Sequence, residues 1–266
     1  MTRVCFVGWG AIARRVAELL VARDRRSVQI LAVAVRDAGR ARPDIPAGAQ
    51  VIASPDELAG LDVDLVVEAA GRAAVAPWGA AALRLGHDFA VSSTSAFSDE
   101  DVFKALLDIA ERHSGRILVP PGALGGIDAL ASAAAAGLDT VEHVIAKPPL
   151  AWRGTDAEAR VDLENLSERT VFFSGSARAV ADAFPQNANV AVITALAGFG
   201  LEETRVSLAA DPALGRNEHF LHAKGAFGTL EMRIRNEPLR TNPKSSEMTA
   251  LNLLRLIENR VSAVVR

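Results

Sequence analysis

The chain has 266 residues, half of them apolar and 23% charged, with a formal net charge of −3 and a single cysteine. That is an ordinary balance for a globular protein of one or two domains. It speaks against a nucleic-acid surface, since the arginines are scattered and the charge is slightly negative. One cysteine permits no disulfide framework within the chain, which fits a reducing compartment such as the cytoplasm. No targeting segment and no membrane-spanning run is expected: the N-terminus enters a strand pattern at once, and the alanine-rich run at 129–136 is too short to span a bilayer.

Residues 4–7 form a short apolar strand that runs into Gly8-Trp9-Gly10-Ala11-Ile12-Ala13 and then into a helical pattern. This spacing is that of a dinucleotide-binding βαβ unit. Gly8 allows the tight turn, and Gly10 lets backbone approach a pyrophosphate. Position 13 must be small for helix and strand to pack, and Ala13 stands where a third glycine is usual. The helix offers its N-terminal N–H groups to the phosphates. Cys5 lies inside the strand and reads as a buried thiol. Ile12, Val16, Leu19 and Leu20 give the helix one apolar face, and a charged turn over 24–26 ends it.

A second strand over 28–35 closes at Arg36-Asp37. An acid there holds a ribose 2′-hydroxyl and an arginine accommodates a 2′-phosphate, so NAD and NADP both stay open; Arg40 and Arg42 read equally well as a solvated loop. Further strands are expected over 51–53, 64–70, 89–92 and 116–119. The helices between them start at Ser54-Pro55, near Pro77 and at Glu100. Ser92, Ser93, Thr94 and Ser95 are expected to cap the next helix, or to line the cofactor cleft. Alternating strand and helix predicts a doubly wound parallel sheet.

Pro120-Pro121-Gly122 marks a crossover. A helix is expected over 123–136 and a strand over 141–147. Short extended pieces follow over 161–165 and 171–173, then helices over 177–184 and 190–197. Hairpin-like strands over 205–209, 218–223 and 230–234 predict a mixed or antiparallel second sheet, an α+β arrangement unlike the first half. Asn242-Pro243 is expected to start the last helix, with Asn242 as its cap, and Ala250, Leu253, Leu254 and Ile257 form its apolar face. The domains expected are 1–121 with 242–266, for the dinucleotide, and 122–241, for substrate, catalysis and dimerisation.

Of the five histidines, His87 and His113 fall at helix ends and suit the helix dipole. His143 lies within a strand and stays open. His219 and His222 share a strand at a spacing of three and project from opposite faces, which argues against a shared metal; no metal site is expected. Tyrosine is absent, so any proton relay must use His, Lys, Asp or Glu.

The runs Gln186-Asn187-Ala188-Asn189-Val190, Ala209-Ala210-Asp211-Pro212, Asn217-Glu218-His219, Gly225-Ala226-Phe227-Gly228 and Asn242-Pro243-Lys244-Ser245-Ser246 resemble the L-aspartate dehydrogenase family, as do Pro121-Gly122-Ala123, Gly126-Ile127-Asp128-Ala129-Leu130 and Lys147-Pro148. The likeness extends over nearly the whole chain, with Gln186 standing where a lysine is common. It implies a Rossmann-type domain, a mixed-sheet second domain, a frequent homodimer, NAD or NADP as cofactor and L-aspartate as substrate. L-aspartate is oxidised to iminoaspartate, which feeds NAD synthesis or hydrolyses to oxaloacetate and ammonia. By motif, His219 matches the catalytic histidine, and Ala123 and Asn189 match cofactor-contacting positions beside Gly8, Gly10, Ala11, Ile12 and Arg36. An imidazole suits proton transfer from the substrate near neutral pH. Two carboxylates call for cations: Lys147 and Lys244 are the candidates, with Asn242, Ser245 and Ser246 as hydrogen-bonding partners. The rival readings are another amino-acid or semialdehyde oxidoreductase and a dinucleotide-binding regulator without turnover.

Overall fold

Strand β1 (Thr2–Val7) is apolar from Val4 onward because both faces of a central parallel strand are covered there; Val4, Cys5 and Phe6 have no exposed surface. Burial pushes the Cys5 thiol up to about 12, so it packs as a small hydrophobe. The structure is a computed structural model and describes residues 1–24 and 26–265. Arg25, in the turn expected over 24–26, lies outside the described residues.

In the first unit, Met1–Pro120 joined by the residues from Thr249 onward, β1 leads to α1 (Ala11–Ala22), β2 (Val28–Ala34), β3 (Gln50–Ile52), β4 (Leu65–Glu68), α2 (Arg72–Arg84), β5 (Asp88–Val91), α3 (Glu100–His113) and β6 (Ile117–Leu118). The strands pair in parallel in the order β3-β2-β1-β4-β5-β6. That is a doubly wound sheet whose order reverses beside β1, the place where such sheets bind ligands. Ser54 caps a short 3₁₀ turn with a full capping box to Glu57. Two local expectations are corrected. Helix α2 extends back to Arg72, with Pro77 inside it. None of Ser92–Ser95 caps α3: the chain makes a 3₁₀ turn over Thr94–Ser98, and Asp99 caps α3 by accepting from the N–H groups of Asp101 and Val102.

The second unit, Pro121–Met248, contains α4 (Ile127–Ala134), β7 (Leu138–Lys147), β8 (Thr170–Ser176), α5 (Ala177–Ala183), α6 (Asn189–Ala197), α7 (Gly200–Glu203), β9 (Arg205–Ala210), β10 (Asn217–Gly225), β11 (Gly228–Asn236), β12 (Pro238–Leu239) and β13 (Asn242–Ser246). Five strands form a mixed sheet in the order β11-β10-β7-β9-β8, with β7 and β9 parallel and the other pairs antiparallel. Helix α4 is shorter than expected because Gly126 at its start is left-handed, with φ of 64°. Residues 161–165 form no strand; the Asp162 carboxylate instead accepts from the Glu164 N–H and the Asn165 amide.

The largest correction lies at Asn242. Residues Asn242–Ser246 form a strand paired antiparallel with β12, and the last helix, α8 (Glu247–Asn259), begins after it. Asn242 closes a turn rather than a helix: its Oδ1 accepts from the Lys244 N–H, and its amide donates to Ser245 Oγ. Residues 242–248, expected with the first domain, therefore belong to the second unit. Beyond them, Ala250, Leu253, Leu254 and Ile257 of α8 pack with Val4, Phe6, Ala13 and Val16 in the core of the first unit.

Candidate active site

In the first unit a cavity of about 880 Å³ opens at the C-terminal ends of β1, β2 and β4, lined by Gly8, Gly10, Arg36, Asp37 and Gly71 among others. The residues fit a dinucleotide. Gly8 has φ of +91°, and a Cβ there would come within 2.7 Å of the Ala70 Cα, so only glycine permits this turn. Added to Gly10, a Cβ would meet only the Ala69 carbonyl, at 4.0 Å, so its missing side chain keeps the approach open for a ligand rather than for the fold. Helix α1 starts at Ala11 with no side-chain cap and no acid in its first turn. The N–H groups of Ala11 and Ile12 and the positive end of the dipole remain available for phosphate. Ala13 has no exposed surface and packs against the sheet, as the third position of the fingerprint requires.

Beside this cavity the Glu68 carboxylate is fully buried and accepts from the N–H groups of Ala70, Gly71 and Ser93 and from Ser93 Oγ, at 2.8–2.9 Å. It ties together the turns after β4 and β5. At the end of β2, Asp37 folds its Oδ1 onto the N–H groups of Gly39 and Arg40, and Arg42 donates to the Asp37 and Arg40 carbonyls. Arg36 is exposed on the wall of the cavity.

In the second unit a separate cavity of about 450 Å³ is lined by Lys147, Asn187, Arg216, Asn217, Asn236 and Lys244 among others. Both volumes lie within the roughly 300–1,000 Å³ of small-ligand sites. Lys147, at the end of β7, sits 4.6 Å above the Trp152 ring and donates to Asn187 Oδ1. Burial lowers its ammonium to about 8. The Trp152 ring is itself held by its indole N–H on the Ala209 carbonyl, at 2.9 Å. Arg216 is paired with Glu237 and Arg153 with Glu164. Lys147 and Lys244, by contrast, have no carboxylate partner among the described residues.

His219 is buried on β10, on the sheet face opposite its neighbour Glu218. Glu218 anchors that strand through Arg169 and Arg235, each at 2.7 Å. On β7, His143 stands opposite Leu221 and so shares the face of His219. The two rings meet through His143 Nε2 and His219 Nδ1 at 3.3 Å, and Thr194 Oγ1 lies 3.0 Å from His143 Nδ1. Burial brings His143 down to about 3. His219 is held well below the ordinary imidazole range by burial first, then by His143 and the nearby Lys147 ammonium. Ser92 Oγ and Thr204 Oγ1 are fully buried without a hydrogen-bond partner among the described residues.

The expected residues thus divide. Gly8, Gly10 and Arg36 line the first cavity, with Ala11 and Ile12 at the adjoining helix start. Lys147 and Lys244 line the second, with His219 beside Lys147. Asn242 and Ser245 bond to each other instead of lining that cavity. Ala123 and Asn189 belong to the second unit; the Ala123 carbonyl accepts from the Asn236 amide at 2.9 Å. His222 is half-buried on the far face of β10 from His219. Arg216, Asn236 and the His143–Thr194 pair carry no mark in the sequence, because only the packing of segments far apart along the chain brings them together. No group of three His, Cys, Asp or Glu side chains among the described residues could hold a metal ion. No helix among them is long and apolar enough to cross a membrane.

The family profile described as "Aspartate dehydrogenase, C-terminal" matches residues 128–260, and that described as "Homoserine dehydrogenase, NAD binding domain" matches residues 8–120. An L-aspartate dehydrogenase of Brucella anthropi is 58% identical over 262 residues, covering 98% of this chain and 97% of the relative. One of Serratia proteamaculans is 41% identical over 254 residues, covering 95% and 94%. The crystal structure of aspartate dehydrogenase from Thermotoga maritima superposes with a TM-score of 0.78 at 27% identity, covering 100% of this chain and 99% of that one.

Proposed function

The chain belongs to the L-aspartate dehydrogenase family, and from that premise we propose which of its residues carry the reaction. It is an NAD(P)-dependent oxidoreductase that converts L-aspartate to iminoaspartate. The nicotinamide, when bound, accepts the hydride from Cα. Everything else falls to the chain.

The observation that carries the assignment is the pair of unmatched cations, Lys147 and Lys244, on one small cavity beside His219. A dicarboxylate supplies the two missing counter-charges. Each lysine binds one carboxylate, and Asn187 orients Lys147. His219 Nε2 accepts a proton from the substrate ammonium. The freed lone pair on nitrogen then forms the C=N bond as the Cα hydrogen departs with its electron pair. One proton and one hydride leave, and iminoaspartate remains; water converts it to oxaloacetate and ammonia.

Gly8, Gly10, Ala11 and Ile12 receive the pyrophosphate, Arg36 faces the adenosine ribose, and Ala123 and Asn189 contact the cofactor as their motif positions imply. The resemblance also supports a homodimer, eluting at twice the 28.0 kDa chain mass, and the single buried cysteine suits the cytoplasm. Initial rates with L-aspartate, D-aspartate and oxaloacetate plus ammonia, each with NAD(H) and NADP(H), test the substrate. His219→Ala is expected to cut kcat by about 10²–10⁴-fold. A near-normal rate would remove His219 from the chemistry.

A further inference from the structure

Behind His219 lies a buried chain of polar side chains that the reaction itself does not require. Thr194, on α6, places Oγ1 3.0 Å from the Val190 carbonyl and 3.0 Å from His143 Nδ1. A threonine hydroxyl has one hydrogen, and a carbonyl only accepts, so that hydrogen lies on Val190 O. Thr194 Oγ1 therefore accepts from His143 Nδ1–H. His143 is buried and neutral, so its Nε2 carries a lone pair. The nitrogen 3.3 Å away, His219 Nδ1, must then be the donor. Every bond runs the same way, from His219 to a carbonyl that has no proton to return.

We infer that His143 and Thr194 are positioning residues that fix His219 as the Nδ1–H tautomer and so keep its Nε2 bare for the substrate proton. The inference rests on His219 as the base. Which ring nitrogen of a neutral imidazole holds its hydrogen is set by the bond the other one makes. Without His143 as acceptor, His219 is free to take the Nε2–H form, which offers the substrate no lone pair. Once His219 has taken the proton, its Nδ1–H bond to His143 becomes charge-assisted and stronger, so the same contact steadies the imidazolium.

Four variants test this: Thr194→Val, which keeps the shape and loses the hydroxyl; Thr194→Ser, which keeps the hydroxyl; His143→Leu, which removes the acceptor; and His143→Gln, which restores one. We expect kcat to fall on the order of tenfold in Thr194→Val and more in His143→Leu. Thr194→Ser and His143→Gln should recover most of it, with KM for L-aspartate within twofold of wild type throughout. Nitrogen-15 NMR of the histidines supplies a readout that packing does not move. In wild type, His219 is to be protonated at Nδ1 and bare at Nε2, and Thr194→Val shifts population toward Nε2–H. An Nε2–H tautomer in the wild type, or a Thr194→Val protein with unchanged kcat and tautomer, overturns the inference. If His143→Leu does not fold, the Thr194 pair decides alone. An active His219→Ala enzyme would instead refute the base assignment, separately from the tautomer result.

Discussion

Replacing Lys147 by Met tests the substrate pocket most directly. The change keeps an unbranched side chain over Trp152 and deletes only the charge and its donors. Lys147 uses one of its three N–H donors on Asn187 and has no carboxylate partner among the described residues. A substrate carboxylate then receives at least one charge-assisted bond, worth about 1.5–3 kcal/mol, or roughly a 10- to 150-fold rise in KM for L-aspartate. The pH dependence carries a second mark. The ammonium deprotonates near 8, so its charge is present below that pH and lost above it. Wild-type KM for L-aspartate should climb as pH rises through 8, and Lys147→Met should flatten that limb. Initial rates of NAD(P)H formation from pH 6.5 to 9.5 measure both. A KM within threefold of wild type at pH 7, or an alkaline limb that survives the substitution, would refute the assignment.

Arg36→Ala is expected to weaken NADP(H) binding about tenfold and NAD(H) less than twofold, since a 2′-phosphate gains a charge-assisted bond that a 2′-hydroxyl does not; equal losses in fluorescence titrations would exclude Arg36 from the ribose site. Stability should fall as pH drops below 6.5. There the unfolded chain protonates His143, while the folded chain holds it neutral until about 3, at a cost of about 1.4 kcal/mol per pH unit. Urea midpoints of wild type and His143→Gln between pH 6.5 and 5 check this, and parallel slopes would contradict it.

The parallel sheet was legible because its evidence is local: an apolar strand, the Gly8–Ala13 turn and a 3.6-period helix follow one another within 22 residues. Where a partner far along the chain decides, sequence falls short. Asn242-Pro243 has the chemistry of a helix start, yet β12 captures it as a strand. The serines after β5 suit caps, but Glu68 takes Ser93 and leaves the capping of α3 to Asp99. His143 is an ordinary strand histidine until β7 pairs with β10. That register sets two residues 76 apart ring against ring, and period-two alternation says which face a side chain takes only once the register is known. Lys147 and His219 emerged from motif likeness, whereas Arg216 and Asn236 had no comparable mark.

The electrostatics of His219 link the two halves of the chemistry. In the free enzyme burial, His143 and the Lys147 ammonium all depress its basicity, which leaves it a weak proton acceptor. Bound L-aspartate changes one of those causes, because a carboxylate against Lys147 cancels the charge that repels a proton on His219. Basicity therefore rises toward the ordinary imidazole range when substrate is bound, and the base strengthens as its proton donor arrives. For a base that must be unprotonated, activity is lost as pH falls through its pKa. The acid limb of kcat/KM reports the free enzyme and that of kcat the substrate complex, so the kcat limb should lie at higher pH. In Lys147→Met the charge is absent in both states and the two limbs should draw together. A kcat limb at or below that of kcat/KM in wild type, or a gap unchanged in Lys147→Met, would show that the lysine does not govern the base.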